Sequence, residues 1–346
     1  SLSKLPVHEE ARDEGKLVFL DSLEQATVFK QTHTIVFISH QWLGWTEPDN
    51  DERTYLRAMQ RAVKSMVTET LKPVFIWVDY ISVPQRHRGF QSMAISAMPL
   101  YVALADRFVI CAPDALHRDT GQSCTFETYR GRGWCRAEML AKVCTSGTEH
   151  VYLQADAVMF PRLLPEDNFD LASWTVFDGE FSVCQDAEQL VDPVLCLYAM
   201  LLRSPGVITL DYIRNQIQAN KDVVFPASHV VKKARVSPEK RNLFGNLVQA
   251  MEQHVLEHPT FEGGAFAFKT ESHSQDSCSS GKCIESDSWV GETFSVIEAE
   301  PTRSSRTSFC FGDNGLNAEH HAEQDRITWL MTILSCGQTS QNDQGW

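Results

Sequence analysis

Residues 33–42 read HTIVFISHQW, and the fold turns on how they are read. An unbroken apolar run rich in β-branched residues gives way to polar groups at its C-terminal end, the pattern of a strand buried on both faces. The stretch ERTYLRAMQRAVKSMVTETL follows as an amphipathic helix, with Tyr55, Leu56, Met59, Ala62, Val63 and Met66 on its buried side. KPVFIWVDYISVPQ reads as a second buried strand running to Asp79 and stopped near Pro84. QSMAISAMPLYVALA is a second helix, with Pro99 as a kink or break. DRFVICAP is a third strand. A long polar loop over 114–130 leads into the helix GWCRAEMLAKVC, and EHVYLQADAV is a fourth strand.

Strand and helix therefore alternate over residues 33–158. Short, continuously apolar strands in that order imply an α/β fold, a parallel sheet with helices on both faces. Every crossover is expected to be right-handed. Ligands of such sheets bind beyond the C-terminal strand ends. Three segments must gather there: SHQW (39–42), DYISVPQ (79–85) and the loop before Trp134.

Glu138 enters from that same edge, one turn after Trp134. Cys135, Met139, Leu140, Val143 and Cys144 form an apolar stripe at helical spacing, and Glu138 sits on its shoulder. Two readings are open. Lys142, four residues on, makes an ordinary surface pair with Glu138 worth about 0.3–0.5 kcal/mol. Alternatively, Glu138 serves a pocket at the strand ends. Gly131 and Gly133 suggest that the chain approaches something closely just before this helix.

Composition narrows the function. A formal net charge of −14 over 346 residues argues against nucleic acid as the main partner and against an anionic membrane surface. No apolar run reaches the roughly 20 residues of a membrane span. The opening SLSKLPVHEEARDEGK carries no apolar signal core. The 10 cysteines are spread out, several within strands or helices, which fits reduced, buried thiols in a cytoplasmic protein. Cys278, Cys283 and His273 make an incomplete zinc pattern, so no metal is expected.

Beyond a lead segment (1–32) and the α/β domain (33–158), residues 159–260 read as a helical extension packed on the sheet domain or forming a small second domain. Residues 261–346 read as a largely disordered, acidic, Ser-rich tail with a helix near 322–335.

VFISHQW, FIWVDYISVPQ, AMPLYVALADRFVIC and YRGRGWCRAEMLAKV resemble, in order, the motifs of a divergent TIR-like domain. The W-C-x-x-E element is the specific part. WVD-x-x-S-x-PQ is also similar to a motif of fungal heterokaryon-incompatibility domains. The resemblance covers roughly residues 33–158. It implies a flavodoxin-like fold of about five parallel strands, and either of two roles. One is cleavage of the nicotinamide–ribose bond of NAD, with NAD as substrate rather than cofactor and Glu138 as the catalytic acid. The other is self-association as a signalling or scaffold module, with a homo-oligomer formed through the domain.

On the first reading Ser39, His40, Gln41 and Trp42 form one wall of the pocket, and Asp79 and Ser82 lie at the next strand end. Trp134 stacks on a base or packs in the core. His40 is an acid/base, a wall residue or a structural histidine. The SHQW strand end and the long loop before Trp134 depart from the enzymes' pattern. A third class uses Cys135, or Ser39 with His40, as a nucleophile.

Overall fold

The structure, a computed structural model, describes residues 4–258 apart from 166–168, 170–173, 184, 205 and 232–238. Two helices, α1 (His8–Asp13) and α2 (Leu23–Thr32), precede the first strand, β1 (Thr34–His40). Then come α3 (Thr54–Thr68), β2 (Val74–Trp77), a helical turn α4 (Asp79–Ser82), α5 (Arg88–Ser96), α6 (Met98–Leu104) and β3 (Arg107–Cys111). A small hairpin of β4 (Ala115–Leu116) and β5 (Ser123–Cys124) leads to α7 (Phe126–Gly131) and α8 (Gly133–Ser146). The sheet is completed by β6 (Val151–Gln154) and β7 (Arg162–Leu163). The extension contributes α9 (Asp186–Gln189), α10 (Val191–Leu202), α11 (Ile208–Ala219), α12 (Lys221–Val224), the hairpin β8 (Ser228–Val231) and β9 (Glu239–Asn242), and α13 (Leu247–Glu257).

The central sheet has the order β2-β1-β3-β6-β7. Its first four strands are parallel, in the flavodoxin-like order, as the alternating pattern requires. Three expectations are corrected in detail. The fifth strand, β7, runs antiparallel and spans only two residues, so the sheet is mixed at that edge. Strand β2 lies at the other edge and is only half-buried, and the chain turns into α4 at Asp79 rather than continuing extended. The 114–130 stretch is not plain loop, because it holds the β4–β5 hairpin and α7. A Thr125–Thr128 capping box starts α7, a signal that sequence periodicity does not display.

Alternation along β1 sorts its side chains. Phe37 faces the large core cluster shared with α6, α8 and α10. Val36 and Ile38 face a second cluster with Tyr55, Met59 and Met66 of α3. Phe37 stacks between Trp77 and Phe108 at centroid distances of 4.4 and 5.3 Å, locking the three neighbouring strands. Such pairs contribute about 0.5–1.5 kcal/mol each beyond burial. Pro99 lies where α5 gives way to α6, as the break expected there.

The extension does not stand apart. Leu195, Tyr198 and Leu201 of α10 and Ile213 of α11 share one continuous core with Leu140 and Val143 of α8. Residues 261–346, with the expected tail, its helix and the Cys278/Cys283 pattern, lie outside the described residues. Among the described residues no helix is long and apolar enough to cross a membrane.

Candidate functional site at the C-terminal strand ends

The ends of β1 and β2, the α4 turn, α7 and the start of α8 converge as the parallel topology demands. Strand alternation places Ser39 on the Phe37 face, toward α8, and His40 on the opposite face, toward α3. Ser39 Oγ donates to Glu138 Oε2 and lies 2.6 Å from the Tyr129 hydroxyl. Glu138 keeps only a partial opening to solvent. Burial pushes its carboxyl well above the usual range; Asp79 pushes it further, and the Ser39 hydrogen bond opposes both.

Asp79 organises the other half of the site. Its Oδ2 accepts from the Trp42 indole N–H at 2.9 Å, and its Oδ1 accepts from the Tyr80 backbone N–H at 2.6 Å. His40 Nε2 lies 3.6 Å from Asp79 Oδ1 without a hydrogen-bond partner, on a side chain only 1% exposed. The His40 ring meets Tyr55 edge-on at 5.8 Å. A cleft of about 330 Å³ is lined by Tyr80, the chain neighbour of Asp79, together with Lys4, Glu10, Glu47, Asp51 and Arg53 among others; Glu138 and Ser39 do not line it.

The expected residues thus divide. Ser39, Glu138, Asp79, His40 and Trp42 are brought together. Gln41 is buried and structural, since its Nε2 donates to Thr125 O and Thr128 Oγ1 at the capped start of α7. Ser82 accepts from the Val78 N–H and closes the α4 turn. Trp134 donates its indole N–H to Asp186 Oδ2 at 2.8 Å and packs against the large core cluster, tying α9 of the extension to the turn before Glu138. Tyr129 is the residue of this cluster that sequence reading missed. It lies in the stretch read as loop, and its only signal was its place just ahead of the W-C-x-x-E helix.

The surface-pair reading of Glu138 does not hold. Lys142 is 2% exposed, its ammonium donates to Ser146 Oγ, and burial brings its pKa down to about 8. Cys135 is also unsuited as a nucleophile. It is buried, its Sγ faces the His40 carbonyl at 3.7 Å, and burial holds the thiol well above its ordinary pKa. Ser39 and His40 point to opposite faces of β1 and form no nucleophile–base pair.

No family model, curated protein or solved structure matches this chain. The chemistry must therefore be read from the cluster itself.

Gly133 does make a close approach, but to protein. A side chain there would overlap the Phe181 ring, and the Gly133 N–H donates to Glu180 O. That bridge between Arg132 and Glu180 covers the start of α8. Gly131 has open space around it. On the other side, Glu9 Oε1 accepts from the Gln85 and Arg86 backbone N–H groups at 3.0 and 2.8 Å, and His8 Nδ1 lies 3.1 Å from Ile81 O. So α1 grips the α4 turn, which starts at Asp79, and the segment that follows it. Among the described residues no group of three His, Cys, Asp or Glu could hold a metal ion.

Proposed function

We propose that this is a TIR-like NAD-cleaving site with Glu138 as its reacting carboxylate. The observation that carries the reading is the direction of Glu138: it points to Ser39 at the strand ends rather than to Lys142. Losing nicotinamide leaves an oxocarbenium-like ribose, and a fixed carboxylate at that ring lowers the barrier electrostatically. Asp79 adds a second carboxyl group at the strand ends, which suits a substrate with a cationic ring. Trp42, held by Asp79 and edge-on to Tyr80 at 5.5 Å, supplies a rigid aromatic wall. NAD is here a substrate, and the buried free thiols at Cys111, Cys124, Cys135 and Cys144 suit a reducing, cytoplasmic setting.

The test is nicotinamide release from NAD by the purified protein, beside Glu138→Gln checked for folding. Turnover is expected to fall on the order of 10²–10³-fold in the variant, the scale of losing one electrostatic contact to the transition state. Equal turnover in both proteins would end the reading.

Association as a signalling or scaffold module is the second reading. It is favoured by Val158, Met159, Phe160 and Leu163, which are exposed together around the short edge strand β7. Light scattering across a concentration series separates the two readings: a mass that stays monomeric throughout removes self-association.

A further inference from the structure

The Ser39 hydroxyl has one proton, and when Glu138 is ionised its carboxylate can only accept, so in that state the proton goes to Glu138. The 2.6 Å contact between Ser39 Oγ and Tyr129 Oη must then be a donation from tyrosine to serine. A directed chain results: Tyr129 O–H to Ser39 Oγ, and Ser39 O–H to Glu138. Tyr129 is fully buried, and its helix is fixed from below by Gln41 through Thr125 and Thr128. Burial, with Cys135 and Glu138 adding to it, pushes its phenol well above the ordinary tyrosine pKa.

We propose that Tyr129 is a positioning residue for Glu138. Its hydroxyl fixes the Ser39 proton on the carboxylate, which holds Glu138 in one orientation and favours its anionic form. This deepens the NAD-cleaving reading and rests on it, since an oxocarbenium ion is stabilised by the anion and not by the acid. Among the described residues, the groups that interact with Glu138 or with its Ser39 partner include Ser39 from β1, Tyr129 from α7, Asp79 from α4 and Cys135 from its own helix. Among these, Asp79 disfavours the anion and the Ser39 hydroxyl favours it. His40, on the far face of β1, lies 3.6 Å from Asp79 and edge-on to Tyr55. Hydrogen bonds polarise one another along a chain, so the tyrosine strengthens the serine's donation without touching the carboxylate.

The experiment follows the Glu138 side-chain carboxyl by NMR titration of the full chain in wild type, Tyr129→Phe and Ser39→Ala. Glu138→Gln identifies the resonance. The midpoint is expected to move upward by about one pH unit in Ser39→Ala and by roughly half a unit in Tyr129→Phe. The acid limb of nicotinamide release should move with it, with kcat at low pH falling more than KM changes. Tyr129 packs against Phe126 and Trp174, so a purely structural role would lower Tm and leave the midpoint in place. An unmoved midpoint in folded Tyr129→Phe overturns the proposal. If Tyr129→Phe does not fold, an unmoved midpoint in Ser39→Ala overturns it equally. A moved midpoint in a protein that releases no nicotinamide leaves the chain intact and removes the NAD reading instead.

Discussion

Glu138 carries a cost to the fold that follows from its surroundings. In the unfolded chain it ionises in the ordinary carboxylate range; in the folded protein burial and Asp79 raise its pKa. Below the unfolded value both states hold the proton, and the acid costs nothing. As the pH rises through the window up to the folded value, the folded state alone retains the proton, and stability is lost. Glu138→Gln should therefore raise Tm by a few degrees near neutrality, about what replacing a strained site residue commonly yields. The gain should vanish in acid below the unfolded range, and thermal melts at both pH values check it; an equal gain at each would refute the electrostatic cause. The candidate residue itself was legible in the sequence, because helical spacing and a strand-end address single it out. Its partner was not. Tyr129 reaches Ser39 across 90 positions through a helix read as loop, and no local pattern encodes that contact.

At the scale of elements, the parallel strands were legible because each is a continuous apolar run of few residues. What was missed lies where elements are short or held by single contacts. The α4 turn is four residues long and starts at Asp79. Strand β7 is two residues long and exposed, so it has almost no sequence signature. Gly131, which ends α7, and Gly133, which opens α8, look alike in sequence and differ in structure, which gives a paired test involving a third glycine. A Cβ on Gly179 would lie 2.5 Å from Gly133 Cα, backbone against backbone, where nothing can yield. Gly179→Ala should destabilise by about 3 kcal/mol, at the upper end of overpacking. Gly131→Ala meets nothing within 4 Å and should change stability by less than about 0.5 kcal/mol. Urea denaturation of the two variants distinguishes them; similar midpoints would refute a tight Gly133–Gly179 crossing.

For the whole molecule, the boundary near residue 158 divides a pattern rather than a core. Helix α8 buries Leu140 and Val143 in the same cluster as α10 and α11, so the α/β unit is not closed without the extension. A protein cut after residue 158 exposes that face and loses the Glu180 bridge at the start of α8. It should show no cooperative transition by calorimetry, while the chain to residue 258 keeps one. A sharp transition in the shorter piece would make the extension a separate domain. Sequence reading left that choice open because apolar periodicity reports which face of a helix is buried, not what buries it.

The hold of Glu9 on residues 85 and 86 and the bridge from Gly133 to Glu180 together set a timetable for synthesis. A chain leaving the ribosome presents the W-C-x-x-E helix well before residue 180 is free to cover its start. Domains fold as units once their contacts are available. The nascent chain therefore carries Ser39, Asp79, Tyr129 and Glu138 before the segment that covers the start of their helix, and the core around α8 closes only with the extension.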